Sequence, residues 1–257
     1  MNITELTPFG VEVHAAAVGT DLRDVDVGQL RDWVARHRVL ILRGFALKSD
    51  ADMLAICGEL GDVLQWEFGA INELRVQANA ANYLYTSHAV PFHWDGAFVG
   101  RIPHHIFFHC VDAPTVNCGG ETTFCNTVKL LSDLPAAERD TWSNIRVTYS
   151  TEKVVHYGGS FASPLIDRHP ISGEPVIRFA EPVDDLNPVQ LLIEGLPEQQ
   201  HSEFVCRMQQ LLCDPAYCFA HAWKTNDIVI ADNHALLHGR RAFSQSADRH
   251  LRRVNVM

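Results

Sequence analysis

DIVIADNHALLHGRRAF, residues 227–243, begins as a short apolar run and ends in a basic segment with two histidines. DIVIA is too short for a helix, and its Ile and Val content fits a strand buried on both faces. The tight turn Lys224-Thr225-Asn226 precedes it, and before that YCFAHAW (217–223) reads as another strand. HLRRVNV (250–256) follows, and working outward HIFFHCV (105–111), IRVTYS (145–150) and PVIRF (175–179) have the same character, punctuated by Gly, Pro, Asn and Asp. VLIL (39–42) is a further buried strand.

Helical spacing appears at Gln29–His37 (Leu30, Trp33 and Val34 on one face) and from Asp50 to Leu60. In the second of these Ser49 is the N-cap, Met53, Ile56, Cys57 and Leu60 form the apolar stripe, and Gly61 ends it. Two more helices begin near Pro135 (PAAERDTW) and near Pro197, the latter with Phe204, Val205, Met208, Leu211 and Leu212 inward. The pattern predicts one domain over residues 1–257, mainly β with flanking helices, built on an antiparallel two-sheet sandwich or jelly roll.

Of 257 residues 47% are hydrophobic, enough for a sizeable core. Lys and Arg total 21 against 31 Asp and Glu, a net charge of -10, which argues against nucleic acid or an anionic membrane as partner. An anionic small molecule must then be met by local arginines. The N-terminus MNITELTPFGVEVH lacks a basic region followed by an apolar one, and no apolar run approaches the ~18 residues of a spanning helix, so a cytoplasmic location is expected. Seven cysteines form no C-x-x-C, and an odd number excludes full intramolecular pairing; reduced thiols are expected, with Cys110 and Cys206 as small core residues. A homo-oligomer is left open.

FHWDGAF (92–98) carries His93-x-Asp95. With 14 histidines about one such pair arises by chance, so the neighbourhood must decide. On an extended segment residues i and i+2 share a face and both reach one metal. His201-x-Glu203 lies in a helical stretch, where they diverge, and is discarded. A 2-His-1-carboxylate triad, the usual site for non-haem Fe(II), needs a second histidine: His238 is the candidate and His234 its competitor. Arg249 and Arg253, four apart in a strand-like segment, can point into one cavity as anion clamps, or form a solvated basic edge.

FHWDGAF, GGETTF (119–124), HP-x(4)-PVIRFAEP (169–182), DNHALLHGRRAF and RHLRRV together resemble the TauD/TfdA-type Fe(II)/2-oxoglutarate dioxygenases. Within that superfamily WEFGAINEL (66–74), VPFHWDG (90–96) and FHCVDAP (108–114) resemble the PvcB-like, isonitrile-processing branch of paerucumarin and rhabduscin biosynthesis, the similarity spanning roughly Arg43 to Val254. The resemblance implies a double-stranded β-helix (jelly roll, cupin-like) core, with His93, Asp95 and His238 as iron ligands. It implies that Thr122 and Arg249 hold the distal carboxylate of 2-oxoglutarate and that Arg253 receives a substrate carboxylate. Halogenating relatives replace the carboxylate ligand with a small residue, so retention of Asp95 implies no halogenation.

The implied reaction consumes O2 and 2-oxoglutarate and introduces an olefin into an aromatic amino-acid-derived isonitrile acid such as tyrosine isonitrile. The carboxylate is lost or kept. Tyr83, Tyr85, Phe92, Trp94, Phe98, Phe107 and Phe108 could form the aryl pocket, although any one of them fits the sandwich core equally well. Tyr83-Leu84-Tyr85 is expected to be extended, and Arg178 to line the cavity or pair with Glu181. His104, His105, His109, His156 and His169 are expected to be structural or surface residues. A hydroxylase of a small free acid or amino acid is the alternative enzyme reading; a non-catalytic cupin or zinc hydrolase is the other.

Overall fold

The computed structural model describes residues 1–115, 117–154, 157–184, 186–244 and 248–257. Two sheets face each other. The larger runs, in spatial order, Asn2–Glu5, Val11–His14, Val39–Arg43, Ile228–Asp232, His105–Asp112, His250–Val256 and Asn72–Leu74. The smaller runs Cys218–His221, Thr122–Asn126, Leu236–Arg240 and Val90–His93.

From Asn72 onward the pairing is nested. Asn72–Leu74 pairs with His250–Val256, Val90–His93 with Leu236–Arg240, His105–Asp112 with Ile228–Asp232, and Thr122–Asn126 with Cys218–His221, all antiparallel. A ribbon closed this way and rolled into two sheets is a jelly roll, so the double-stranded β-helix expected from the sequence is present.

The central strands read as continuous apolar runs because both of their faces are covered. In Ile228–Asp232, Ile228 and Ile230 join Leu40, Leu42, Phe107 and Val254 under the N-terminal helices. Val229 and Ala231 turn the other way, with Phe108, Phe124 and Leu236, into the space between the sheets. A one-residue slip would exchange these faces, so the register that aligns the metal-site residues is tied to both cores.

Helix Asp50–Leu60 begins as expected: Ser49 Oγ accepts from Asp52 N at 3.2 Å, and Asp50 and Asp52 face the positive end of the helix dipole. Gly61 ends it for a reason other than a left-handed cap. Its φ of 167° is extended backbone, and a Cβ there would lie 2.3 Å from Met257 O. Helix Val27–His37 packs beside it.

The long connection between Asn126 and Cys218 holds helices Thr127–Asp133, Ala136–Trp142 and His201–Leu212, a sheet of Tyr157–Pro164, Arg146–Val154 and Gln190–Glu194, and the pair Ile166–Arg168 and Pro175–Ile177. Its Leu130, Trp142, Tyr149, Phe179, Phe204 and Met208 cluster with Phe92, Cys125 and Leu237 on the outer face of the smaller sheet. That sheet is therefore buttressed from behind where it carries the histidines.

Three local expectations are corrected. Tyr83–Tyr85 is a 3-10 turn, with Asn82 Oδ1 accepting from Leu84 N; the Arg240 guanidinium collects the carbonyls of Leu84, Thr86 and His88 at 2.9, 2.7 and 2.7 Å, which tightens the segment. Cys206 is exposed on helix His201–Leu212, whereas Cys110 is buried as expected. PVIRF and YCFAHAW contribute only Pro175–Ile177 and Cys218–His221 as strand. Among the described residues no helix is long and apolar enough to cross a membrane.

Candidate metal centre and its two pockets

His93 is the last residue of its strand, and His238 sits directly across from it. Register partners share a face, so the two imidazoles meet with centroids 4.3 Å apart. Asp95 lies beyond the strand, not on the extended segment expected. The chain turns there on Gly96, whose φ is 96° and where a Cβ would come within 2.1 Å of Arg101 O, so the turn demands glycine.

Asp95 Oδ1 thereby lies 3.7 Å from His93 Nε2 and 3.8 Å from His238 Nε2. One donor atom from each residue falls within 4.8 Å of the others. His93 Nδ1 donates to Pro91 O at 2.9 Å, which leaves the Nε2 lone pair directed at the common centre. Burial is the largest cause holding both imidazoles neutral, bringing His238 down to about 3 and His93 below its usual value. Burial alone would raise the Asp95 carboxyl, but Arg253, His238 and His93 outweigh it and hold it low, at about 2. Two neutral imidazoles and one carboxylate are the donor set that suits a divalent first-row metal with open positions, so the residues fit Fe(II).

Around these ligands sit residues that the sequence reading missed. Asn233 Oδ1 accepts from Asp95 N at 2.9 Å, while its Nδ2 donates to Asp95 O at 3.0 Å and Pro103 O at 2.9 Å. The turn is thus clamped from the strand end that follows DIVIA. Asn255 Nδ2 donates to Asp95 Oδ2 at 2.8 Å, which leaves Oδ1 to face the imidazoles. An Asn between a strand and a turn reads in sequence as a turn residue, and nothing local marks Asn255.

His234 is not a ligand here. Its Nδ1 accepts from Arg178 Nη2 at 2.7 Å, and its ring lies against His104 and His169, with centroids 5.0 and 5.4 Å away. Arg178 neither lines the cavity nor pairs with Glu181. It is buried, donates to the carbonyls of Asn233 and His234, and has Asp167 at 3.7 Å. His169 is structural, with Nε2 3.1 Å from both Asp232 oxygens, and His156 lies outside the described residues.

Two cavities share His93 and Arg253. The smaller, about 40 Å³, is bounded by His238, Thr122, Arg249 and Arg240. Arg249 is buried; its Nε donates to Gly120 O at 2.9 Å and its Nη2 to Thr122 Oγ1 at 3.4 Å, and Thr122 Oγ1 also accepts from Trp223 Nε1 at 3.0 Å. Among the described residues Arg249 has no carboxylate within ion-pair distance, and burial brings its guanidinium down to about 9.

The larger cavity, about 200 Å³, holds Trp66, Tyr83, Tyr85, Phe92, Trp94 and Phe98 in its wall together with Asp95 and Arg253. Phe107 and Phe108, also considered for an aryl pocket, do not line it: Phe107 packs under the N-terminal helices and Phe108 between the sheets. Arg253 Nη1 is 3.1 Å from both Asp95 oxygens. The guanidinium expected only to meet substrate also neutralises the carboxylate of the candidate triad.

A 2-His-1-carboxylate centre inside a double-stranded β-helix, with Arg249 in one adjoining cavity and Arg253 lining both, is the arrangement of the Fe(II)/2-oxoglutarate dioxygenases. The chain belongs to the family described as taurine catabolism dioxygenase TauD, TfdA family, which it matches over residues 2–255. It is 40% identical over 260 residues to the 3-((Z)-2-isocyanoethenyl)-1H-indole synthase of Fischerella ambigua, covering 100% of this chain and 95% of that one. It is 36% identical to the tyrosine isonitrile desaturase of Pseudomonas aeruginosa, covering 96% and 87%. Two solved structures of PvcB, an Fe, alpha-ketoglutarate dependent oxygenase from an isonitrile synthetic pathway, one of them from P. aeruginosa, superpose with TM-scores of 0.83 and 0.81 at 33% identity over 96% of this chain and 86% of theirs.

Proposed function

We propose that this dioxygenase desaturates an aromatic amino-acid-derived isonitrile acid, a 2-isocyano-3-arylpropanoate, to an isocyano olefin in natural-product biosynthesis. The observation that carries it is the pair of cavities meeting at the triad, one bounded by Arg249, Arg240 and Thr122, the other walled by aromatic side chains. The named relatives act in the same chemistry, one on a tyrosine isonitrile and one yielding an isocyanoethenyl indole.

Fe(II), 2-oxoglutarate and O2 supply a two-electron oxidation, with 2-oxoglutarate leaving as succinate and CO2. His93, Asp95 and His238 hold the metal in this reading. Arg249 takes the distal carboxylate of 2-oxoglutarate, since a buried guanidinium without an ion pair gains most from an anion. Thr122 Oγ1 already accepts from Trp223 and Arg249, so its own proton is free for the same carboxylate. Arg253 faces the substrate carboxylate, and the ring lies against Tyr83, Phe92 and Phe98. Loss of the benzylic hydrogen together with the carboxylate gives a vinyl isonitrile; loss of two hydrogens alone gives the unsaturated acid.

The test is anaerobic reconstitution with Fe(II) and 2-oxoglutarate, then O2 with tyrosine or tryptophan isonitrile, and mass spectrometry of the product. Loss of two hydrogens, with or without CO2, is expected. Gain of one oxygen would overturn desaturation in favour of hydroxylation, and succinate formation that no isonitrile acid stimulates would remove the substrate class.

A further inference from the structure

An isonitrile carries a lone pair on its terminal carbon and is a strong, soft donor toward ferrous iron. An enzyme that keeps open positions on Fe(II) while admitting an isocyano acid must therefore occupy that lone pair with something other than the metal. The candidate occupant is visible in the sheet. Asn72 and Arg253 are register partners on neighbouring strands of the larger sheet, both face inward, and both line the larger cavity. Directly opposed residues stand about 5 Å apart, so their polar ends form adjacent donors.

Each side chain has one end engaged and the other free. Asn72 is only 4% exposed, and its Oδ1 accepts from Tyr85 OH at 3.1 Å. Its Nδ2 has no partner among the described residues and is not sealed from solvent, on a side chain that lines the larger cavity. Arg253 repeats the arrangement: Nη1 is held by Asp95 at 3.1 Å, while Nη2 has no partner among the described residues, on a side chain that lines both cavities.

We propose that Asn72, oriented by Tyr85, is the receptor for the isocyano group, donating from Nδ2 to its terminal carbon while Arg253 Nη2 takes the carboxylate. The inference rests on the isonitrile-acid reading above. A 2-isocyano acid presents two acceptors on one carbon, one charged and one neutral. The paired donors are likewise one charged and one neutral, and pairing charge with charge leaves the amide for the isocyano carbon. Asn72 is in this sense a specificity-determining residue, and Tyr85 positions it.

The test is a binding cycle by calorimetry on the anaerobic Fe(II)/2-oxoglutarate enzyme. The ligands are tyrosine isonitrile and its analogue with hydrogen in place of the isocyano group, 3-(4-hydroxyphenyl)propanoate. For Asn72→Ala, the isonitrile acid should bind on the order of tenfold more weakly, with the analogue changed less than about twofold. Equal weakening of both ligands, or no weakening of either, overturns the proposal, the former assigning Asn72 to the carboxylate or to the fold. Should Asn72→Ala fail to fold, Tyr85→Phe removes only the orienting hydroxyl, and a roughly threefold loss confined to the isonitrile acid is expected. If the wild-type enzyme binds the analogue but no isonitrile acid at all, the substrate reading itself falls.

Discussion

Two buried histidine–aspartate clusters lie close together in this chain, and of the two the first alone brings its donor atoms within 4.8 Å of one another as a candidate metal centre. In the first, His93, His238 and Asp95 turn their donor atoms toward one another at 3.7 and 3.8 Å, too long for hydrogen bonds, with a cavity on either side. In the second, Asp232 accepts from His169, from Arg38 at 3.1 Å and from the amides of His234 and Ala235, both at 3.0 Å. His234 meanwhile accepts from Arg178. The residue types are the same. In the first cluster the two imidazole Nε2 lone pairs converge unspent although Asp95 also accepts from Arg253 and Asn255, whereas the second cluster spends its imidazole and carboxylate lone pairs on guanidiniums and backbone amides. Asn233 joins the two, with its backbone carbonyl accepting from Arg178 at 3.4 Å and its side chain clamping Asp95.

Exchanging alanine into each cluster sharpens that contrast most. His238→Ala should abolish turnover and weaken Fe(II) binding by more than ~100-fold, whereas His234→Ala should leave Fe(II) affinity within about twofold and lower thermal stability instead. Titration of the apoenzymes with Fe(II) under nitrogen checks both. Comparable loss of iron in the two variants would erase the distinction.

The arginines flanking the triad should separate next. Arg249→Ala is expected to raise the KM for 2-oxoglutarate on the order of 100-fold with little effect on Fe(II) affinity. Arg253→Ala, because Nη1 also neutralises Asp95, should raise the substrate KM and weaken Fe(II) binding together, each roughly tenfold. A purely substrate-side effect for Arg253 would mean that its pairing with Asp95 carries no energy.

What sequence could and could not supply follows from how local each feature is. Helix Asp50–Leu60 was legible to the residue because its cap and apolar stripe are adjacent in the chain, and His250–Val256 because it is a short run of strand length ending in Val254 and Val256 two residues apart. The strands Asn72–Leu74, Val90–His93 and Leu236–Arg240 carry the site but are only three to five residues long, and they exist as strands only because distant partners align them. His93, Asp95 and His238 were legible through their ordered motif, but their geometry depends on the His93–His238 register and on the Gly96 turn. Asn72, Asn233 and Asn255 acquire their roles entirely from tertiary placement. The second role of Arg253 was hidden for the same reason.

The smallest effect separates the clusters by pH. Burial brings His234 down to about 3 and His105, beside the same cluster, down to about 4, both below the ordinary imidazole value of 6.5. In that interval the unfolded chain binds protons that the folded one refuses, so stability rises with pH and falls as acid is added from about 6.5 toward 4. Asp232 has the same sign in a lower window: its folded carboxyl is held at about 2, because His169 and its other partners outweigh burial, so its contribution is present above 3.8 and lost only as pH approaches 2. His234→Gln removes one titrating group from the upper window without touching the triad. Melting temperature followed from pH 7 to 5 in the apoenzyme should decline less steeply for the variant than for wild type, by a few degrees across the range. Parallel curves would place the acid sensitivity in the other buried histidines, His93, His105, His109, His221 and His238, and saturating Fe(II), by binding His93 and His238 neutral, would flatten the wild-type curve if those two carry it.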